Sequence, residues 1–130
     1  MVVVDTSAWI EWLTDGPLAQ RIAGYMERLD ELVVPTLVQY ELYKWAARER
    51  DEAAAIELIG LTAQGQVRPL DTPLAVAAAE ASTQFALPMA DAIIYACARS
   101  LGLPLVTCDA HFRELAGVEY LQKRAPRTRA

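Results

Sequence analysis

The chain has little with which to build a soft-metal centre. Its 130 residues hold two cysteines, Cys97 and Cys108, and a single histidine, His111. Neither cysteine stands at metal-ligand or Cys-x-x-Cys spacing, so both are expected as reduced, partly buried thiols acting as small hydrophobes. One histidine cannot make a histidine-rich zinc site, and His111 itself is expected on a helix surface. Lysine is nearly absent, with Lys44 and Lys123 alone. Apolar runs such as Leu74 to Ala79 are far too short to cross a bilayer. No basic residue precedes the apolar N-terminus, which Asp5 interrupts, so a secretory signal is not expected and a cytoplasmic location is.

What is present fits one compact domain with a real core: 54% hydrophobic residues beside 22% charged ones. The net charge of −5 disfavours non-specific binding to nucleic acid. Its distribution is uneven. Lys123, Arg124, Arg127 and Arg129 cluster in the last nine residues, leaving 8 bases against 17 acids before them. Residues 1–122 therefore read as an acidic domain and residues 123–130 as a basic tail, either solvated or able to reach a phosphate backbone or an acidic partner.

Four carboxylates stand where the apolar pattern would normally exclude them. Asp5 follows Met1-Val2-Val3-Val4, Glu41 lies within Leu37–Leu42, Asp91 precedes Ala92-Ile93-Ile94, and Asp109 follows Leu105-Val106-Thr107-Cys108. Buried carboxylates need a partner or a cation. Were the four gathered by the fold, their mutual repulsion would raise their pKa values unless a metal ion neutralised them. The implied site is a hard-cation site of oxygen ligands, for Mg²⁺ or Mn²⁺.

The order of elements supports such a gathering. Val2–Val4 reads as a buried strand, with Thr6 or Ser7 able to cap the helix that follows. Asp15-Gly16-Pro17 is a break, and Pro17 suits the first turn of a helix towards Leu29. Leu32–Val34 is a strand closed by Pro35; helices run from Thr36 towards Arg50 and from Asp51 to Leu61. Val67–Leu70 is a weak strand, placed at a sheet edge by Pro69. Pro73 and Pro88 open helices to about Phe85 and Leu101. Pro104–Thr107 is a strand, Asp109 caps a short helix through Leu115, and Val118–Leu121 is the final strand. Strands alternating with helices indicate an α/β domain with a mostly parallel sheet, where ligand sites gather beyond the carboxyl ends of the strands.

Each acid also has a plainer reading. Asp5 could be a turn or cap residue, and Asp109 an ordinary N-cap. Asp91 meets a helix N-terminus, yet shares a face with Ile94, Tyr95 and Ala98. Glu41 shares a face with Val38, Leu42 and Trp45, which points it inward, although a rim position is the alternative. Thr107 could bond a metal-bound water or close a strand. Trp9, Trp12, Tyr40, Tyr43 and Trp45 are expected mostly in the core, with a partner groove as the other possibility; Phe112 is expected in the core.

Taken together, these stretches resemble the PIN-domain ribonucleases, most closely the VapC-type toxins of toxin–antitoxin pairs. The matching segments are Val4-Asp5-Thr6-Ser7-Ala8-Trp9, Val34-Pro35-Thr36 with Glu41, Leu87 to Ala96 around Asp91, and Leu105 to Phe112 around Asp109. The resemblance implies a PIN-like α/β/α sandwich, with a mostly parallel central sheet flanked by helices. It carries catalytic acids onto Asp5, Glu41, Asp91 and Asp109, with Asp5, Asp91 and Asp109 as metal ligands and Thr6 and Thr107 in support. It implies one or two Mg²⁺ or Mn²⁺ ions, an RNA substrate cut to leave a 5′-phosphate, a homodimer, and a VapB-type antitoxin in the active-site groove. Two rival classes exist: a receiver-type phosphotransfer regulator, which would usually need a site lysine, and a non-catalytic RNA- or protein-interaction module.

Overall fold

The structure, a computed structural model, describes residues 1–123. Arg124, Arg127 and Arg129 of the basic tail lie outside the described residues. Five strands, β1 (Val2–Val4), β2 (Leu32–Pro35), β3 (Gln66–Arg68), β4 (Leu105–Thr107) and β5 (Val118–Tyr120), form one sheet in the order β3-β2-β1-β4-β5. Every pairing is parallel. Six helices flank it: α1 (Thr6–Leu13), α2 (Ala19–Met26), α3 (Thr36–Glu49), α4 (Glu52–Thr62), α5 (Thr72–Phe85) and α6 (Met89–Ser100). This is the expected α/β/α sandwich.

The central strands are short because they need only cross the core. Val3, Val4, Val33, Val34, Leu105 and Val106 are all nearly inaccessible, as continuous β-branched and leucine runs covered on both faces should be. The edges differ: β3 is exposed along its length and ends just before Pro69, which cannot donate to a ladder. Helices supply the remaining core with Trp9, Ile22, Leu42 and Ile94.

The chain moves outward from β1 through β2 to β3, then returns to the other side of β1 with β4. Strand order therefore reverses between β1 and β4, the switch point where a parallel sheet opens a crevice at its carboxyl end. The register is fixed by Val3 against Leu105 and Val4 against Val106. The Asp5 amide then donates to the Val106 carbonyl at 3.0 Å, which sets Asp5 beside Thr107.

Several local expectations are corrected. Asp5, not Thr6 or Ser7, caps α1, accepting from the Ala8 amide. Pro17 precedes α2, which begins at Ala19, and a separate 3-10 turn at Leu29–Glu31 follows the helix. The short helix after Asp109 is one 3-10 turn, Ala110–Phe112, instead of a run to Leu115. Among the aromatics of α1 and α3 only Trp9 is fully buried, while Tyr40 is 57% exposed. No helix among the described residues is long and apolar enough to cross a membrane.

Candidate active site

Asp5 ends β1 and begins α1, so its side chain is held from three directions. Its Oδ1 accepts from the Ser7 hydroxyl at 2.7 Å and the Ala8 amide at 3.2 Å, and its Oδ2 accepts from the Thr107 hydroxyl at 2.9 Å. It is 3% exposed. Burial pushes its pKa up to about 7, against the three hydrogen bonds, with the Asp109 charge adding to the rise. Thr107 is fully buried and also accepts from the Asp109 amide at 2.9 Å. Its hydroxyl is thus committed to positioning two acids.

Asp109 caps the 3-10 turn through the His111 amide, at 2.9 Å. Phe112 anchors that turn in the core. It is 0% exposed and stacks on Tyr95 of α6, with ring centroids 6.4 Å apart. Tyr95 in turn donates to the Ala116 carbonyl at 2.9 Å. Removing the Phe112 ring should cost about 3–5 kcal/mol and release the backbone that carries Asp109.

Asp91 enters from the first turn of α6. Its Oδ2 lies 2.7 Å from Nδ1 of His111, and the same nitrogen lies 3.3 Å from Oδ1 of Asp109. Donor atoms of Asp91, Asp109 and His111 all fall within 4.8 Å of one another. Desolvation and the Asp109 charge raise the Asp91 pKa, partly opposed by His111. The hydrogen bond to Asp91 and the two negative charges raise that of His111. His111 is exposed, as expected, yet its ring faces the acids.

Glu41 is half-buried on α3, the rim alternative to a fully inward position. Its Oε1 accepts from the Thr6 hydroxyl at 2.6 Å, which fastens it beside Asp5. The structure therefore joins Asp91 and Asp109 directly, reaches Asp5 through Thr107, and sets Glu41 at the edge through Thr6. No lysine or arginine among the described residues is paired with any of the four.

Ser7 joins the candidate site in a role that its expected place as a helix cap does not announce. Besides bonding Asp5, its oxygen accepts from the Cys108 amide at 3.0 Å, tying α1 to the end of β4. Burial and the nearby Asp5 and Glu11 charges push the Cys108 thiol up to about 11, so it is not an activated nucleophile. Glu11, an acid that the sequence pattern does not single out, is 4% exposed. Its Oε2 accepts from the Leu18 amide at 2.8 Å and its Oε1 pairs with Nζ of Lys123 at 3.2 Å.

The PIN domain family model matches residues 2–118. The chain belongs to the PIN domain family. No curated protein matches the chain. Among solved structures, it is similar to a toxin–antitoxin complex from Klebsiella pneumoniae, with 18% identity, a TM-score of 0.78, and coverage of 92% of this chain and 96% of that one. It is also similar to VapC20 of Mycobacterium tuberculosis, described as a sarcin-ricin loop cleaving toxin, at 18% identity and TM-score 0.71 over 96% and 100% of the two chains. DNA-bound VapBC from Salmonella typhimurium is a third, at 17% identity and TM-score 0.71 over 94% and 98%. At these identities the likeness speaks for the PIN fold, and the acids stand at the sheet's switch point within it.

Proposed function

We propose that this PIN domain is a divalent-cation-dependent endoribonuclease acting as the toxin of a toxin–antitoxin pair. The observation that carries the reading is the meeting of Asp91 and Asp109, with Asp5 joined to Asp109 through Thr107 and Glu41 held at the edge through Thr6, without a lysine or arginine paired to them among the described residues. Carboxylates so placed match a hard cation, and Asp5, Asp91 and Asp109 would hold Mg²⁺ or Mn²⁺, as one ion or two. Such a cation supplies activation of water and neutralisation of charge on a phosphodiester.

The chain's own groups prepare this chemistry. Ser7, Ala8 and Thr107 fix both oxygens of Asp5 in one orientation. Thr107 fixes Asp109 through its backbone amide, so a single hydroxyl keeps two acids in register. Thr6 holds Glu41 at the pocket edge, where it can orient water. The pocket's negative charge repels RNA by itself, which makes substrate binding depend on the cation.

Two exposed faces fit the partners of this reading. Leu13, Trp45, Ala46, Ala54, Leu58 and Leu61 line a cleft of about 370 Å³ between α1, α3 and α4, suited to an antitoxin helix. Leu70 before α5, Val76 on α5 and Met89 at the start of α6 are exposed apolar side chains and suit a homodimer contact. Residues 1–122 would carry the nuclease, followed by the basic stretch 123–130. Free cysteines accord with a reducing cytoplasm.

Purified protein incubated with RNA and Mn²⁺ or Mg²⁺ tests the reading. Cleavage should require the ion, leave 5′-phosphates, and vanish in Asp5→Asn while circular dichroism stays native. Sequencing of RNA 5′ ends after expression, with Asp5→Asn as control, would then separate transfer RNA, messenger RNA and ribosomal loop targets. Undiminished ion-dependent cleavage by folded Asp5→Asn would reject the assignment.

A further inference from the structure

His111 is the single histidine of the chain, and its ring does not point at solvent alone. Its backbone is fixed twice, by the Asp109 cap on its amide and by the buried Phe112 next to it. From that anchor Nδ1 reaches one oxygen of Asp91 and one of Asp109, at 2.7 and 3.3 Å. Ligand atoms about 2.1 Å from an octahedral ion lie about 3 Å apart along each edge of its coordination shell. The two separations bracket that edge. The three donors come from two elements that meet only in the fold, the start of α6 and the turn after β4.

We propose that His111 supplies a nitrogen ligand to the cation held by Asp91 and Asp109, making a mixed nitrogen–oxygen site that prefers a first-row transition-metal ion to Mg²⁺. The inference rests on the divalent-cation reading given above. Carboxylates alone accommodate Mg²⁺ and Mn²⁺ with modest discrimination. An imidazole donor adds affinity for Mn²⁺, Co²⁺ or Zn²⁺ and little for Mg²⁺, which prefers oxygen. With 59% of its side chain exposed, the ring can adjust to an ion without disturbing the core.

Mn²⁺ is the probe. Electron spin-echo spectroscopy of Mn²⁺ bound to the full chain should show coupling to a directly coordinated ¹⁴N. His111→Ala should abolish that coupling and weaken Mn²⁺ binding on the order of tenfold, while Mg²⁺ affinity, read by competition, stays nearly constant. The Mn²⁺-over-Mg²⁺ preference therefore collapses. Wild-type Mn²⁺ without nitrogen coupling, or an unchanged preference in His111→Ala, would overturn the proposal. Asp91→Asn separates the two levels: if it abolishes Mn²⁺ binding while His111→Ala has no effect, the histidine inference alone falls. If wild type binds no Mn²⁺, or Asp91→Asn leaves binding unchanged, the cation site falls with it.

Discussion

Asp5 and Glu11 lie six residues apart along α1 and are equally hidden, at 3% and 4% exposure, yet the fold treats them in opposite ways. Glu11 receives a cation from the protein, the Lys123 ammonium, together with the Leu18 amide. Its carboxylate also fills the space above Gly16, where a Cβ would come within 2.4 Å of it. Asp5 receives hydroxyls and an amide, and its nearest charged neighbour is another acid, Asp109. One buried carboxylate is neutralised from within and serves as a structural pin between α1, the loop to α2 and the C-terminal stretch. The other has no cationic partner among the described residues, so burial holds its proton towards neutral pH and an external cation would have to displace it. Burial alone does not separate a structural acid from a candidate functional one; the sign of its neighbour does.

Substitution should split the pair most sharply in activity. Asp5→Asn is expected to reduce ion-dependent RNA cleavage to background, whereas Glu11→Gln retains cleavage per folded molecule; a gel-based assay at matched folded concentrations reads the contrast. The next effect is on stability. An unfolded Asp5 loses its proton near 3.8 and the folded one near 7, so between those values the native state holds more protons. Raising the pH from 4.5 to 8 without divalent ions therefore favours unfolding through Asp5, by about 3 kcal/mol. Urea unfolding should show this slope in wild type and lose the Asp5 share of it in Asp5→Asn, with the raised Asp91 and His111 values leaving a remainder of the same sign, and saturating Mn²⁺ should oppose it by binding the native state.

Smaller effects belong to Glu11. Gly16→Ala drives a methyl into its carboxylate and should cost about 1–3 kcal/mol, visible as a lower urea midpoint. Lys123→Met removes the cation but leaves the Leu18 amide. Because the lysine side chain is 59% exposed, the expected cost is nearer ~1 kcal/mol, with cleavage unaffected. A Lys123→Met variant as stable as wild type would show that solvent, and not the ion pair, satisfies Glu11.

Much of this is legible in the sequence. Val2–Val4, Leu32–Val34 and Pro104–Thr107 announce buried parallel strands, within a residue of the observed bounds, and the prolines at 35, 73 and 88 sit at or next to helix starts. Asp5 and Asp109 at strand ends follow from the same pattern. Glu11 was overlooked because Ile10-Glu11-Trp12 reads as an ordinary amphipathic turn, with nothing local to show that Gly16 lets the loop close over it. The sequence places His111 at the surface, and its exposure is real; the contact it makes depends on Asp91 of α6, twenty residues away in sequence.

Local periodicity determined the strands, the helices and the acids that lie at their ends, since φ/ψ preference and side-chain direction act over a few residues. Only the tertiary structure decided which acids meet. The β1–β4 register brings Thr107 to Asp5 across 102 positions, and the C-terminal stretch brings Lys123 to Glu11. A carboxylate's energy depends on charges within a few ångströms, and those distances are set by packing between segments remote in the chain.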